Sequence, residues 1–149
     1  MTRMTSRTVL TALAWIVIVL GLAACSGRGP SSSNSVSSAS GFSLFLSVTP
    51  NSVPTVQPGN EADKGGCATL TAKLFDSQGR LVDGGLVLFN TTLGVFPKRP
   101  GEDEDSVARF AFTALGIATE VICATTVKGT AIVTSTVEDA HTSVLLTMF

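Results

Sequence analysis

From position 42 onward the chain alternates with a period of two. Phe42, Leu44, Leu46 and Val48 interleave with Ser43, Phe45, Ser47 and Thr49, the pattern of a strand with one buried face. Pro50, Pro54 and Pro58 then interrupt regular pairing, which suits an edge strand and its exit. Ala68, Leu70, Ala72 and Leu74 repeat the alternation against Thr69, Thr71 and Lys73, and Asp76-Ser77-Gln78-Gly79 closes it as a turn. There an Asp carboxylate can accept backbone N–H groups and a Gly can take positive φ. Further strands are predicted over 86–89, 107–113, 117–126, 130–137 and 141–149, with turns at Asn90-Thr91-Thr92, Gly116 and Lys128-Gly129. No stretch carries a capped helical stripe. About seven short strands at roughly 8–12-residue spacing predict an all-β fold, an antiparallel β-sandwich over residues 42–149. Phe42, Phe89, Phe110 and Phe112 are expected to pack between the sheets. Phe45 and Phe75 fall on outward parity, where together they would form a small apolar patch suited to a partner.

The N-terminus has a different pattern. A polar stretch with Arg3 and Arg7 precedes an apolar run from Val9 to Ala24. As a helix the run would be about 24 Å long at roughly 1.5 Å per residue, short for a membrane span and right for a signal h-region. It ends in Leu22-Ala23-Ala24-Cys25-Ser26. This resembles the lipobox of bacterial lipoproteins. The resemblance implies a signal peptide over 1–24, cleavage before Cys25, and a membrane partner through lipid (palmitate) on the Cys25 sulfur and acylation of its new amino group. Two or three acyl chains anchor a protein stably where one does not. Ser26 stands where an Asp would mark inner-membrane retention, which implies the outer membrane. Ser26 to Ser40 holds eight Ser, two Gly and one Pro, and reads as a flexible tether over 25–41 with a reach of about 20 Å.

The body also resembles a known family. Thr71-Ala72-Lys73-Leu74-Phe75-Asp76-Ser77-Gln78-Gly79-Arg80-Leu81-Val82, then Val87-Leu88-Phe89 and Thr92-Leu93-Gly94-Val95-Phe96, are similar to the immunoglobulin-like domains of the invasin/intimin type (Big-1). Gly116-Ile117-Ala118 and Gly129-Thr130-Ala131-Ile132-Val133-Thr134 continue the likeness. It covers roughly residues 45–149 and implies an Ig-like sandwich in an adhesion or assembly role. Two features depart from the pattern. Pro97 to Asp105 is a Pro- and acid-rich insert, and Glu120 stands where an apolar inward residue is expected. The domain occurs once, which argues against a long adhesive stalk.

Composition sharpens this picture. Apolar residues make up 44% of the 149, yet 16 of them lie in the first 24 positions. The only Trp is Trp15, and there is no Tyr. Net charge is −1, so no basic field exists to attract nucleic acid. Once Cys25 is assigned to lipid, Cys67 and Cys123 are an even pair in an exported chain, which points to a disulfide. Both fall on outward parity. In a sandwich of the type the body resembles, their strands could be neighbours in one sheet. A bridge would close a loop of about 57 residues, worth roughly 4 kcal/mol in the chain-entropy description. Two free buried thiols are the other reading.

The only charge run is Glu102-Asp103-Glu104-Asp105. These are weak Ca²⁺ candidates, to which Glu61, Asp63, Glu138 and Asp139 could add oxygens. No D-x-D-x-D-G spacing accompanies them, and a solvated acidic loop is the simpler expectation. His141 is the only His, without a nucleophile motif or further zinc ligands beside it, and is expected to be exposed at a strand start. No phosphate-binding glycine motif precedes a helix. The chain is therefore expected to be non-enzymatic and cofactor-free. The expected function is that of a lipid-anchored envelope module contacting an envelope or surface protein. The alternative is a carbohydrate-binding module, weakened because sugar sites commonly stack Trp or Tyr.

Overall fold

A computed structural model describes residues 30–59 and 65–149. Among them, nine strands form two sheets: β1 (Ser32–Ser37), β2 (Ser43–Thr49), β3 (Ser52–Val53), β4 (Cys67–Phe75), β5 (Leu86–Thr91), β6 (Ala108–Phe112), β7 (Ile117–Cys123), β8 (Gly129–Val137) and β9 (Ala140–Met148). One sheet has the order β1-β2-β4-β7, the other β3-β9-β8-β5-β6. Every pairing is antiparallel except β3 with β9. The fold is an immunoglobulin-like β-sandwich, with two more strands than expected because β1 and β3 join it.

Period-two alternation builds the core as anticipated. Leu44, Leu46 and Val48 of β2 face Leu70, Ala72 and Leu74 of β4, and all are buried. Val87 and Phe89 of β5 and Ala131, Val133, Val144 and Leu146 of β8 and β9 close the core from the other sheet. After β2 the prolines carry the chain across the sandwich, so that β3 pairs with the end of β9 in the opposite sheet.

The serine-rich segment departs from expectation. Ser32–Ser37 is not a free tether but an edge strand, in register with β2 from Ser32 opposite Val48 to Ser37 opposite Ser43. Backbone ladder bonds with the exposed edge of β2, together with Val36 packed against the core, order a segment whose composition alone supports no structure. The sandwich thus begins before residue 42. The leader, Cys25, Glu61 and Asp63 lie outside the described residues.

Two of the four Phe residues expected between the sheets are not there. Phe89 is fully buried and Phe42 packs half-buried on the core. Phe110 and Phe112 face outward and are 56% and 70% exposed. The register sets this: Phe89 lies opposite Arg109 and Val87 opposite Ala111, so Arg109 and Ala111 take the inward positions of β6. Phe96, from the loop between β5 and β6, fills the interior instead with no exposed surface.

Candidate functional site

Three places on the sandwich bring chemically notable side chains together. The first is the outer face of the four-stranded sheet. Ser35, Phe45 and Lys73 lie side by side across β1, β2 and β4, and Ser37, Ser43 and Phe75 form the neighbouring row. The two Phe residues predicted to face outward do so, and both are half-buried. Because the β1 positions are serines, a groove of about 370 Å³ remains over this face. The Lys73 ammonium sits 6.0 Å from the centroid of the Phe45 ring, a cation–π contact worth about 0.5–1 kcal/mol at an exposed site. Among the described residues Lys73 makes no ion pair. The groove therefore offers aromatic surface, hydroxyls and one cation.

The second place is made by the two departures from the family pattern, which meet in space. After β5 the chain crosses to the edge of β7, where Val95 and Cys123 exchange backbone hydrogen bonds of 2.9 and 2.8 Å. Gly94 permits this approach. Its φ is +79°, and a Cβ there would lie 2.8 Å from the Cys123 carbonyl oxygen, so a larger residue would be both strained and obstructed. The insert then folds back over the sandwich. Arg99 forms an ion pair with Glu120. Glu120 occupies an inward position of β7 between Ala118 and Ile122 and is 9% exposed, so the strand keeps its register through that position. Arg109, 4% exposed, pairs with Glu102 at 2.8 Å and donates to the Pro97 carbonyl at 3.1 Å. A buried guanidinium is tolerable when its donors are satisfied in this way. Each buried charge finds its partner in the insert, and a cavity of about 300 Å³ lies beside the pair of arginines.

The acidic run is consumed largely within its own loop. Glu102 also accepts the Arg99 backbone N–H at 2.9 Å, and Asp105 accepts that of Lys98 at 2.8 Å. Asp103 and Glu104 are exposed. Among the described residues no group of three or more His, Cys, Asp or Glu side chains is disposed to hold a metal ion. Asp139 is engaged elsewhere: it accepts the Ser40 hydroxyl and backbone N–H, which hold its carboxyl below the usual range. This contact links the β1–β2 turn to the β8–β9 hairpin. His141 is exposed at the start of β9, beside a third cavity of about 350 Å³.

The third place is the disulfide. Cys67 and Cys123 are directly opposed in the β4–β7 ladder and bonded. Both leave the outer side of the sheet, as parity predicts. Cys67 is exposed, whereas Cys123 is covered by the segment carrying Val95.

Sequence reasoning found Phe45, Phe75 and both cysteines. It missed Lys73, Arg99 and Arg109, although Glu120 as a charge at an inward position was a signal that a cation had to come from elsewhere in the chain. Gly94-Val95-Phe96, within the family resemblance, was the signal for the buried Phe96.

Among solved structures the fold is similar to that of the Yersinia pseudotuberculosis adhesin InvE, with a TM-score of 0.50 and 21% identity over 78% of this chain and 26% of that one. A glycosyl hydrolase family 2 member from Bacteroides cellulosilyticus matches 71% of this chain and 14% of that one at 25% identity, with a TM-score of 0.49. This chain thus spans about a quarter of the adhesin's length. No protein-family model and no curated protein matches it. The likeness to the adhesin establishes the fold alone.

Proposed function

We propose that this protein is a non-enzymatic, lipid-anchored module of the bacterial cell envelope whose Ig-like sandwich makes protein–protein contacts in adhesion or envelope assembly. The observation that carries the reading is the groove over Phe45, Lys73 and Phe75 on the outer sheet face. It is partly apolar, spans β1, β2 and β4, and carries in Lys73 a cation that makes no ion pair among the described residues. The adhesin's fold likeness is consistent with such a role. Anchoring rests on Cys25 and the resemblance of its surroundings to a lipobox. A photo-crosslinking residue at position 75 in intact cells tests the contact. One defined protein adduct, lost in a Phe45→Ser variant, is expected. Adducts unaffected by that change, or a glycan array that binds while no protein is captured, overturn the reading in favour of a sugar-binding module. The anchor has its own test: Cys25→Ser should accumulate as uncleaved precursor, and normal processing of that variant removes the lipoprotein assignment.

A further inference from the structure

The strand that composition presents as a tether is fixed at its ends, where the Asn51 N–H donates to the Pro30 carbonyl at 2.7 Å and Ser40 donates to Asp139, but between them it buries little. Of Ser32–Ser37 only Ser32 and Val36 are even half-buried, and Val36 supplies the strand's apolar contact with the core. Serine and asparagine contribute little to a pleated, half-buried surface. Cavities flank the strand on both sides, about 370 Å³ beside Ser35 and Ser37 and about 350 Å³ beside Asn34 and Val36. What it covers is the opposite in character. Leu44, Leu46 and Val48 of β2 are fully buried. The Ser38 N–H to Phe42 carbonyl bond of 2.7 Å fixes the phase of the ladder. Alternation from that pair makes 36 with 44, 34 with 46 and 32 with 48 the hydrogen-bonded pairs. The backbone groups of Leu44, Leu46 and Val48 therefore point at β1, and those of Phe45 and Ser47 point at β4.

We propose that this edge of β2 is a docking site for an extended peptide strand of a partner protein, and that β1 is its built-in occupant, which the partner displaces. The proposal rests on the protein-contact reading above and names its surface. Recognition is by strand addition: backbone bonds supply affinity and alternate side chains supply specificity. A strand antiparallel to β2 places its residues equivalent to 35 and 37 over the groove. A branched aliphatic beside Phe75 would fill space that Ser37 leaves, and a carboxylate beside Phe45 would reach Lys73, which makes no ion pair among the described residues. The β1 strand of a second copy carries the same serines and no acid. It gains nothing over the resident strand, so the chemistry favours a foreign partner. Because β1 is covalently attached, it lowers the apparent affinity by the fraction of time the edge is closed.

The test uses the full-length protein in detergent micelles. The probe is a fluorescent synthetic peptide of residues 30–41 carrying Ser35→Glu and Ser37→Ile. It should bind at least tenfold more tightly than the unsubstituted peptide in fluorescence anisotropy, and Lys73→Glu should abolish that preference. A Ser33→Cys/Ser47→Cys variant, at a non-hydrogen-bonded pair of the ladder, cross-links β1 in place and should not bind, while Ser33→Cys alone should bind normally. In the unliganded protein the amides of Leu44, Leu46 and Val48 should exchange at least tenfold faster than those of Phe45 and Ser47. Equal protection of the two sets, undiminished binding by the cross-linked variant, no binding up to about 1 mM peptide, or dimers formed by exchange of β1 would each overturn the proposal. If the cross-linked variant still yields the adduct through position 75, the contact reading stands and this proposal falls.

Discussion

Removing two buried hydroxyls should stabilise this protein. Ser135 and Thr142 are directly opposed in the β8–β9 ladder, on the inward face, and are 0% and 5% exposed. Neither side-chain oxygen has a hydrogen-bond partner, and the same-face neighbours along their strands are Val133, Val137, Ala140 and Val144. A buried hydroxyl without a partner carries a desolvation penalty of about 1–3 kcal/mol. Thr142→Val keeps the shape and removes the penalty, so a gain of about 1–2 kcal/mol is expected; Ser135→Ala, which also loses a little volume, should gain about 1 kcal/mol. At about 4 °C per kcal/mol for a domain of this size, these are rises in Tm of about 4–8 °C for Thr142→Val and about 4 °C for Ser135→Ala. Urea unfolding of the two single variants and the double variant supplies the measurement. Gains that add within about 0.5 kcal/mol would mean that each hydroxyl was separately unsatisfied. The opposite sign is expected at Thr113, which is 3% exposed. Its hydroxyl donates to the Val82 carbonyl at 2.7 Å and accepts the Gly85 N–H at 2.8 Å. Thr113→Val strands both backbone groups and should cost about 2 kcal/mol. A loss of stability from Thr142→Val or Ser135→Ala comparable with that at Thr113 would refute the reasoning, since it would reveal a partner for the hydroxyl in solution.

Other outcomes follow from the same structure. Replacing both Cys67 and Cys123 with Ala should lower stability by roughly 4 kcal/mol, given the sequence separation of 56 residues and the loop entropy released; denaturation of the variant against the oxidised protein gives the difference. Phe96→Ala should cost about 3–5 kcal/mol, while Phe112→Ser should stay within about 0.5 kcal/mol, a contrast in unfolding midpoints that the reverse register of β6 would invert. The Asp76 carboxylate accepts the Arg80 backbone N–H at 2.9 Å, with further bonds from the Gln78 N–H and the Arg80 guanidinium, and its pKa lies below the ordinary 3.8, the Arg80 backbone bond being the largest cause. A lowered folded-state pKa means stability that is present above the ordinary value and is lost as pH falls through the folded one. Asp76→Asn should therefore flatten the acid limb of the stability profile below about pH 4, and an NMR titration in which this carboxyl behaves as a free one would contradict the assignment.

The one-dimensional pattern determined a good deal. Alternation of apolar and mostly hydroxyl-bearing residues is enough to specify β2 and β4, because a period of two leaves each strand only one way to bury its Leu, Val and Ala side chains. The Asp76–Gly79 turn was equally legible, since its carboxylate and glycine act on their own neighbours. Parity placed both cysteines on one side of the sheet and both Phe45 and Phe75 on the outer face.

Only the tertiary structure decided which face of Ala108–Phe112 is buried. That segment alternates whichever way it is read, and its aromatic residues argued for the wrong face. Arg109 could turn inward because Glu102 and the Pro97 carbonyl, seven or more positions away along the chain, satisfy it there. The same holds for Glu120, whose partner Arg99 comes from a distant insert. The serine-rich segment is the clearest case. Nothing in Ser32–Ser37 calls for a strand, and its order is borrowed from the open edge of β2. Local preference and periodicity are properties of a segment, whereas the satisfaction of a buried charge or an unpaired backbone edge depends on groups that only folding brings within reach.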